Sequence, residues 1–385
     1  MSNQGASLLA PLALRGVTTR NRVVISPMQQ FMARDGLPSI WNQVHLGQFA
    51  LGGAGIVFTE AMAISEHGRI SHGDIGLWSD AQAQSLLPIA TFVRNWGALA
   101  AAQISHAGRR GATTRPWEGK RPLLAADAER GEAPWELWAP SAVASRAVAQ
   151  VPVAMGSAQI DTVQAGYAHT ATLADQAGFD VLELHGGHGY MLHAYLSPIS
   201  NRRTNWYGGS RTHRMRFALE TVERVRAAWP AHKPLFFCVS AFDGAAGERE
   251  MEDTLALVPA LLARGVDVID VSSGGLSGTS SNAAAHARVP GYHVPAASHI
   301  RAATGALTQV VGLITDAVQA DTIVRSGASD LVAIGREALR NPFWAAHAAQ
   351  ALGDDSFTAW PEPYAWWLRA RQEFLAAPAG DAQSR

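Results

Sequence analysis

Residues 178–192 read GFDVLELHGGHGYML. Gly178 can enter the left-handed region at no steric cost, so it ends the helix before it. Asp180 then opens a short, almost unbroken apolar run. Such a run, bounded by turn signals, predicts a strand buried on both faces, as in a parallel sheet. Where that strand releases the chain stand His185, two glycines, His188 and Tyr190. The same entrance recurs at Gly265-Val-Asp267 and Gly327-Ala-Ser-Asp330.

Working outward, eight segments share this character: VVISP (23–27), GIVFTE (55–60), LAAAQIS (99–105), DVLELH (180–185), PLFFCVS (234–240), VDVIDVSS (266–273), QVVGLIT (309–315) and DLVAIG (330–335). Amphipathic stretches separate them. In DTLALVPALLARG, Leu255, Val258, Leu261 and Leu262 share a stripe, and Pro259 predicts a kink or a later start. In DTVQAGYAHTATLADQAG, Asp161 is placed to cap the helix, with Gln164 completing a capping box. Eight such alternations predict an α/β chain closed into one (β/α)8 barrel, which hides every sheet edge. An open doubly wound sheet is the alternative, but no strand leads into a Gly-x-Gly-x-x-Gly turn. The barrel is expected over residues 1–372, with 373–385 a disordered tail. Residues 109–150, rich in Trp, Pro and Arg, form an extended loop after the third strand, overhanging the catalytic face. The aromatic C-terminal segment WPEPYAWWLRARQEFLAA must bury its tryptophans on this subunit or on another.

Bulk properties narrow the function. The 385 residues carry a net charge of -1, which offers no general attraction for nucleic acid or an anionic membrane. A single cysteine, Cys238, excludes an intrachain disulfide and any metal cluster held by several thiolates. No apolar run approaches the ~20 residues of a membrane span. No basic start followed by a continuous apolar core marks a signal peptide. The expectation is a soluble cytoplasmic enzyme acting on a small molecule.

Barrel enzymes work at the C-terminal ends of their strands. In a strand, residues three apart face opposite sides, so His185 and His188 converge only if the chain turns at Gly186-Gly187. Three readings stand for this pair. A zinc site needs a third ligand, and none is evident in the sequence. A histidine-rich structural turn is the second. The third is a pair of imidazole donors for one developing oxyanion, with Tyr190 as proton donor. Gly335-Arg336 after the eighth strand, with Gly312 and Thr315-Asp316 after the seventh, read as a phosphate site, the guanidinium supplying a planar fork. A surface arginine past a buried strand is the plainer alternative.

These residues, in order, carry a resemblance. TRNRVVISPM, GRISHGDIGLWSD, QISHAGRR, ELHGGHGYMLHAYLSPISNRRT, YGGS, VSSGG, ITD and AIGREALRNPFW resemble the Old Yellow Enzyme family of FMN-dependent ene-reductases, in its compact bacterial YqjM- and xenobiotic reductase-like branch. The likeness spans about residues 8–372. It implies FMN across the strand ends and NADH or NADPH as electron donor. Ser26, Pro27, Met28 and Ala61 match positions lining the isoalloxazine, Gln103 the amide on its pyrimidine edge, and Gly312, Gly335 and Arg336 the phosphate end. His185 and His188 match the pair holding a substrate carbonyl oxygen, and Tyr190 the proton donor. Trp367 matches a tryptophan that reaches a neighbouring subunit's site, which implies a homo-oligomer, dimer or tetramer. The reaction so implied is reduction of the activated C=C bond of an α,β-unsaturated carbonyl compound.

Three positions depart from the family's pattern. Gln29 stands where the branch has cysteine, Phe31 where it has a substrate-contacting tyrosine, and Cys238 where it has arginine beside the flavin's N1 and O2. A cation about 4 Å from developing charge is worth at most ~4 kcal/mol at an effective dielectric of ~20. Its loss leaves two readings: Cys238 is an ordinary small core residue and reduction continues less favourably, or the site turns to FMN-dependent oxidation or desaturation, or to redox-neutral isomerisation. Arg109 and Arg110 are candidates to replace it. A flavin-free phosphate-binding barrel is the remaining alternative.

Overall fold

The structure, a computed structural model, describes residues 7–243, 250–276 and 289–376. Eight parallel strands close into a barrel: β1 (Val23–Ile25), β2 (Ile56–Ala63), β3 (Leu99–Ser105), β4 (Val181–Gly186), β5 (Leu235–Ser240), β6 (Val268–Ser272), β7 (Leu307–Val310) and β8 (Leu331–Ile334). Each pairs with its successor in sequence, and β8 pairs with β1 through Val332 and Val23. Helices α1 (Ile40–Leu51), α2 (Asp80–Asn95), α3 (Ser157–Gln176), α4 (Arg211–Ala228), α5 (Met251–Leu262), α6 (Val294–Thr304) and α7 (Ala317–Arg325) follow the first seven strands in turn, and α8 (Trp344–Ala351) follows the eighth.

The recurrent Gly-x-Asp entrance has a common physical cause. Gly178, Gly265 and Gly327 all have positive φ, which stops the preceding helix. The aspartate carboxylates then accept an N–H at the start of an adjacent strand: Ala100 donates to Asp180 at 3.0 Å, Leu235 to Asp267 at 2.8 Å and Thr308 to Asp330 at 3.0 Å. Each carboxylate also meets an arginine, Arg94, Arg15 and Arg301 respectively. A hairpin, Leu12–Leu14 with Val17–Thr19, closes that end; its two leucines pack on Val24, Phe58, Val181 and Phe236 inside the barrel.

Local boundaries differ from the sequence reading in four places. The seventh strand ends at Val310, because Gly312 (φ 135°) and Leu313 (φ 50°) leave the extended region and take the chain out of the ladder. Helix α3 starts four residues before Asp161; Gly156 is its cap and donates its N–H to Gln159, while Asp161 pairs with Arg224 on the surface. Helix α5 runs through Pro259. The final helix, Glu362–Ala376, carries through the first residues of the stretch expected as tail, and 377–385 lie outside the described residues.

The loop after β3 is built, not slack. It holds three short 3-10 turns and a small apolar cluster of Ala112, Leu123, Leu137 and Trp135. Arg121 meets Asp127 and Arg130 meets Glu132 across it, each at 2.7 Å. It stands beside the mouth of the barrel, with Trp117 edge-on to Phe31.

Candidate functional site

Alternation along the strands sorts the barrel interior into layers. Val181, Phe236, Val268 and Leu331 belong to the apolar plug. Two residues further along their strands come Glu183, Cys238 and Asp270, and two further again His185, Ser240 and Ser272. Adjacent strands add Gln103 and Gln309 to the middle layer, in register with Glu183 and Asp270 respectively. Polar side chains therefore begin halfway up the barrel and continue to its mouth.

Above that belt lies a cavity of about 470 Å³. It falls within the ~300–1,000 Å³ typical of small-molecule sites. Its wall combines Ser26, Pro27, Met28, Gln103, His185, His188 and Cys238 with Val311–Thr315, Gly335, Arg336 and Arg340. Ten of the expected cofactor and substrate residues thus meet around one space: Ser26, Pro27, Met28, Gln103, His185, His188, Cys238, Gly312, Gly335 and Arg336. Sequence reasoning missed Asp270, Tyr292, His293 and Arg340, which also line it. Asp270 carried a signal, since it sits two residues before a polar strand end. Tyr292 and His293 did not, because they arrive from the loop before α6.

The remaining expected residues lie elsewhere. Ala61 is buried beside Gln103, past an irregularity in β2 between Phe58 and Ala61. Glu60, at that irregularity, turns its carboxylate to the backbone N–H groups of Gln30 and Phe31. Gln29 is half-buried, with its amide nitrogen unpartnered. Phe31, at φ 56°, forms a satellite apolar cluster with Ile70, Ala107 and Tyr190. Tyr190 belongs to that cluster and is absent from the cavity lining, but its ring centroid is 5.0 Å from that of His185. Trp367 is 69 % exposed on the C-terminal helix, far from burial on its own subunit.

The histidine pair does converge. His188 takes a left-handed turn (φ 56°), and its backbone crosses Gly275 so closely that a Cβ there would meet His188 Cα at 2.4 Å. Ser240 Oγ accepts the His188 N–H at 3.0 Å. The rings stand edge to face with centroids 5.0 Å apart. Gly187 N–H donates to His185 Nδ1, so a neutral His185 carries its proton on Nε2, 3.2 Å from His188 Nδ1. His188 Nε2–H then faces Ser272 Oγ at 2.7 Å. Burial pushes His185 down to about 3, helped by the neighbouring His193 and Arg110, and lowers His188 for the same first reason. Both rings are neutral donors at ordinary pH. A ligand oxygen reaching them competes with the bond between the rings and with Ser272. Below the turn, His193 accepts Gly189 N–H on Nδ1 and donates from Nε2 to the buried Asp243, which pins the loop.

The two candidate replacements for the missing guanidinium are spent elsewhere. Arg109 bonds the carbonyls of Leu276, Val143 and Ala144, and Arg110 those of His188 and Gly275. Lys233 is held by Asp175 and the Phe179 carbonyl at the opposite end of β5.

The residues fit a flavin mononucleotide by chemistry. Ser26 Oγ is buried without a hydrogen-bond partner among the described residues, and a Cβ on Gly335 would find nothing nearer than that oxygen at 3.8 Å, so backbone can approach a ligand there. Arg336 and Arg340 supply cations in the same wall. Comparisons with known proteins agree. A profile of the NADH:flavin oxidoreductase / NADH oxidase family matches residues 7–355. The NADPH dehydrogenase of Geobacillus sp. (strain WCH70) is 38% identical over 349 residues, covering 90% of this chain and 94% of that one. That of Listeria welshimeri is 37% identical over 351 residues, covering 91% and 96%. Among solved structures, morphinone reductase superposes with a TM-score of 0.75 at 24% identity, over 91% of both chains. Among the described residues no helix is long and apolar enough to cross a membrane. The chain belongs to the NADH:flavin oxidoreductase / NADH oxidase family, that of Old Yellow Enzyme, and is an NAD(P)H-dependent FMN oxidoreductase.

Proposed function

We propose that the protein reduces the activated C=C bond of an α,β-unsaturated carbonyl compound. The observation that carries this is the meeting of His185 and His188 at the wall of a cavity that Arg336 and Arg340 also line. FMN, when bound, supplies the hydride path from NADH or NADPH to the substrate. Ser26, Pro27, Met28 and Gln103 would hold its ring, and Gly312, Gly335 and Arg336 its phosphate. His185 and His188 take the carbonyl oxygen, where charge accumulates as the β-carbon is attacked. Neutral donors aimed at that oxygen stabilise the charge without introducing a competing acid. Tyr190 keeps its phenol protonated, because burial raises it, and holds the proton destined for the α-carbon.

A second reading rests on the belt under the cavity. Glu183, Cys238 and Asp270 present no permanent positive charge where reduction leaves a negative one. That favours oxidation or isomerisation of a related carbonyl compound. Anaerobic titration with NADPH, then NADH, followed by 2-cyclohexenone, separates the two. Bleaching of the yellow colour and its return with the enone support ene-reduction. Failure of either nicotinamide to bleach a protein that still binds phenols supports the second reading.

The proposal includes assembly and place. The C-terminal helix exposes Trp366, Trp367, Phe374 and Leu375, more apolar surface than an isolated subunit needs, which supports a homo-oligomer. A monomer in solution would refute that part. A single buried thiol suits a cytoplasmic location.

A further inference from the structure

The middle layer of the barrel contains more acceptors than the chain satisfies. Glu183 and Gln309 are 0% exposed, Cys238 2% and Asp270 6%. One ligand atom from each of Glu183, Cys238 and Asp270 lies within 4.8 Å of the others. Gln103 donates its amide nitrogen to Glu183 Oε1 at 2.7 Å. Among the described residues, Glu183 Oε2 and Asp270 Oδ1 have no partner, and the Gln309 amide, which makes no well-formed hydrogen bond, stands beside Asp270 and lowers it. Buried groups left in this condition call for a water, an ion or a shared proton. A ligand in the cavity above answers for Cys238 and Asp270, which face it, but Glu183 and Gln309 are not part of its wall. A single proton shared between two carboxylates answers for one pair of oxygens. A small cation draws on all of them at once.

We propose that Glu183, Cys238 and Asp270 form a binding site for one divalent cation of the zinc class, with Gln309 beside it and an open position toward the cavity. One sulfur and two carboxylate oxygens make a donor set of intermediate softness, which suits Zn²⁺, Co²⁺ or Fe²⁺ better than Ca²⁺ or Mg²⁺. Bonds of about 2.0–2.3 Å require the three side chains to close on the ion by rotation. Three protein ligands with a fourth position free is the arrangement of exchangeable zinc sites. On binding, the Cys238 S–H bond breaks, the sulfur's electron pair goes to the metal and the proton goes to buffer, so affinity rises with pH. The site goes beyond the flavin reading, yet bears on it. A cation here places positive charge under the cavity at the position where the chain has no arginine, which removes the physical basis of the second reading above.

The test uses full-length, flavin-loaded protein, stripped with a chelator, dialysed and titrated anaerobically with Co²⁺. Uptake of one equivalent per chain is expected, with ligand-field absorption in the red, beyond the flavin's own bands, and displacement by Zn²⁺. Cys238→Ser and Glu183→Gln should each weaken uptake more than about tenfold, roughly 1.4 kcal/mol. Cys238→Arg, which supplies a guanidinium to the same two carboxylates, should abolish it. Absence of uptake, or uptake equal in the parent and the folded variants, overturns the proposal and leaves a proton as the neutralising species. Glu183→Gln is nearly isosteric and keeps the test decisive should the cysteine variants misfold. Flavin content is read separately from its absorbance. Colourless protein that binds cobalt refutes only the flavin reading, and yellow protein that refuses it refutes only the metal.

Discussion

The two ends of the same strands treat carboxylates in opposite ways. At the N-terminal end Asp180, Asp267 and Asp330 each accept a strand N–H and each meet an arginine. Halfway up, Glu183 and Asp270 have no arginine and leave oxygens unpartnered. Burial pushes Asp270 up to about 6 and raises Glu183 well above the carboxylate range, and the nearness of Asp270 pushes Glu183 further. The lower end stabilises the barrel. The upper end holds unsatisfied groups that the fold alone does not need, as functional layers commonly do.

The largest effect that would break this contrast is at the lower end. Asp330→Ala strips Thr308 N–H of its acceptor and leaves Arg301 without its partner, and should cost about 3–5 kcal/mol in urea unfolding. A cost below about 1 kcal/mol would mean that this end is not where stability resides. At the upper end, His188→Ala should leave folding almost intact but weaken binding of a phenol by about 1.5–3 kcal/mol, the worth of a hydrogen bond to a charged oxygen. Unchanged affinity would remove the histidine from oxygen binding.

The dependence on pH sharpens the same comparison. Burial holds His185 and His106 at about 3 and His45 at about 4, against an ordinary 6.5. Below pH 6.5 the unfolded chain takes up protons on these rings that the folded chain refuses. Their stabilisation is therefore complete above pH 6.5 and lost as pH falls toward 4. Glu60 runs the other way. Burial raises it from 4.5 to about 8, so its contribution is full below pH 4.5 and lost as pH rises through 8. Urea midpoints should peak where these limbs meet, and Glu60→Gln should reduce the alkaline one, to which the raised Asp74, Glu183 and Asp270 also contribute, while leaving the acid one unchanged. A profile with no acid limb would mean that the buried rings are open to solvent. The smallest effect is expected for Asp270→Asn in metal-free protein, which removes a carboxylate that no arginine meets and should change stability by less than about 1 kcal/mol, in either direction. A cost as large as that of Asp330→Ala would show that the upper belt is as structural as the lower ring.

Much of this architecture was legible in residues. The Gly-x-Asp entrances located strands β4, β6 and β8, because glycine stops a helix locally and the aspartate needs only the backbone of the preceding, neighbouring strand. The polar strand ends located the cavity, since alternation along a strand carries His185 to the mouth whatever its neighbours are. Two local differences arose where competing signals were close in energy. Asp161 is a good cap, but Gly156 with Gln159 starts the helix earlier. Val310 to Ile314 is apolar enough for a strand, but Gly312 releases it.

The sequence by itself determined the eight-fold alternation, the end of the barrel at which chemistry sits, and the absence of arginine at position 238. Those properties depend on period, turn chemistry and residue type, which act over a few residues. Tertiary structure alone decided that Arg109 and Arg110 are consumed by loop carbonyls, that His188 turns its ring onto His185, and that Glu183, Cys238 and Asp270 converge. Such meetings depend on the register between strands and on the close passage of the Gly275 backbone, which bring together residues many positions apart.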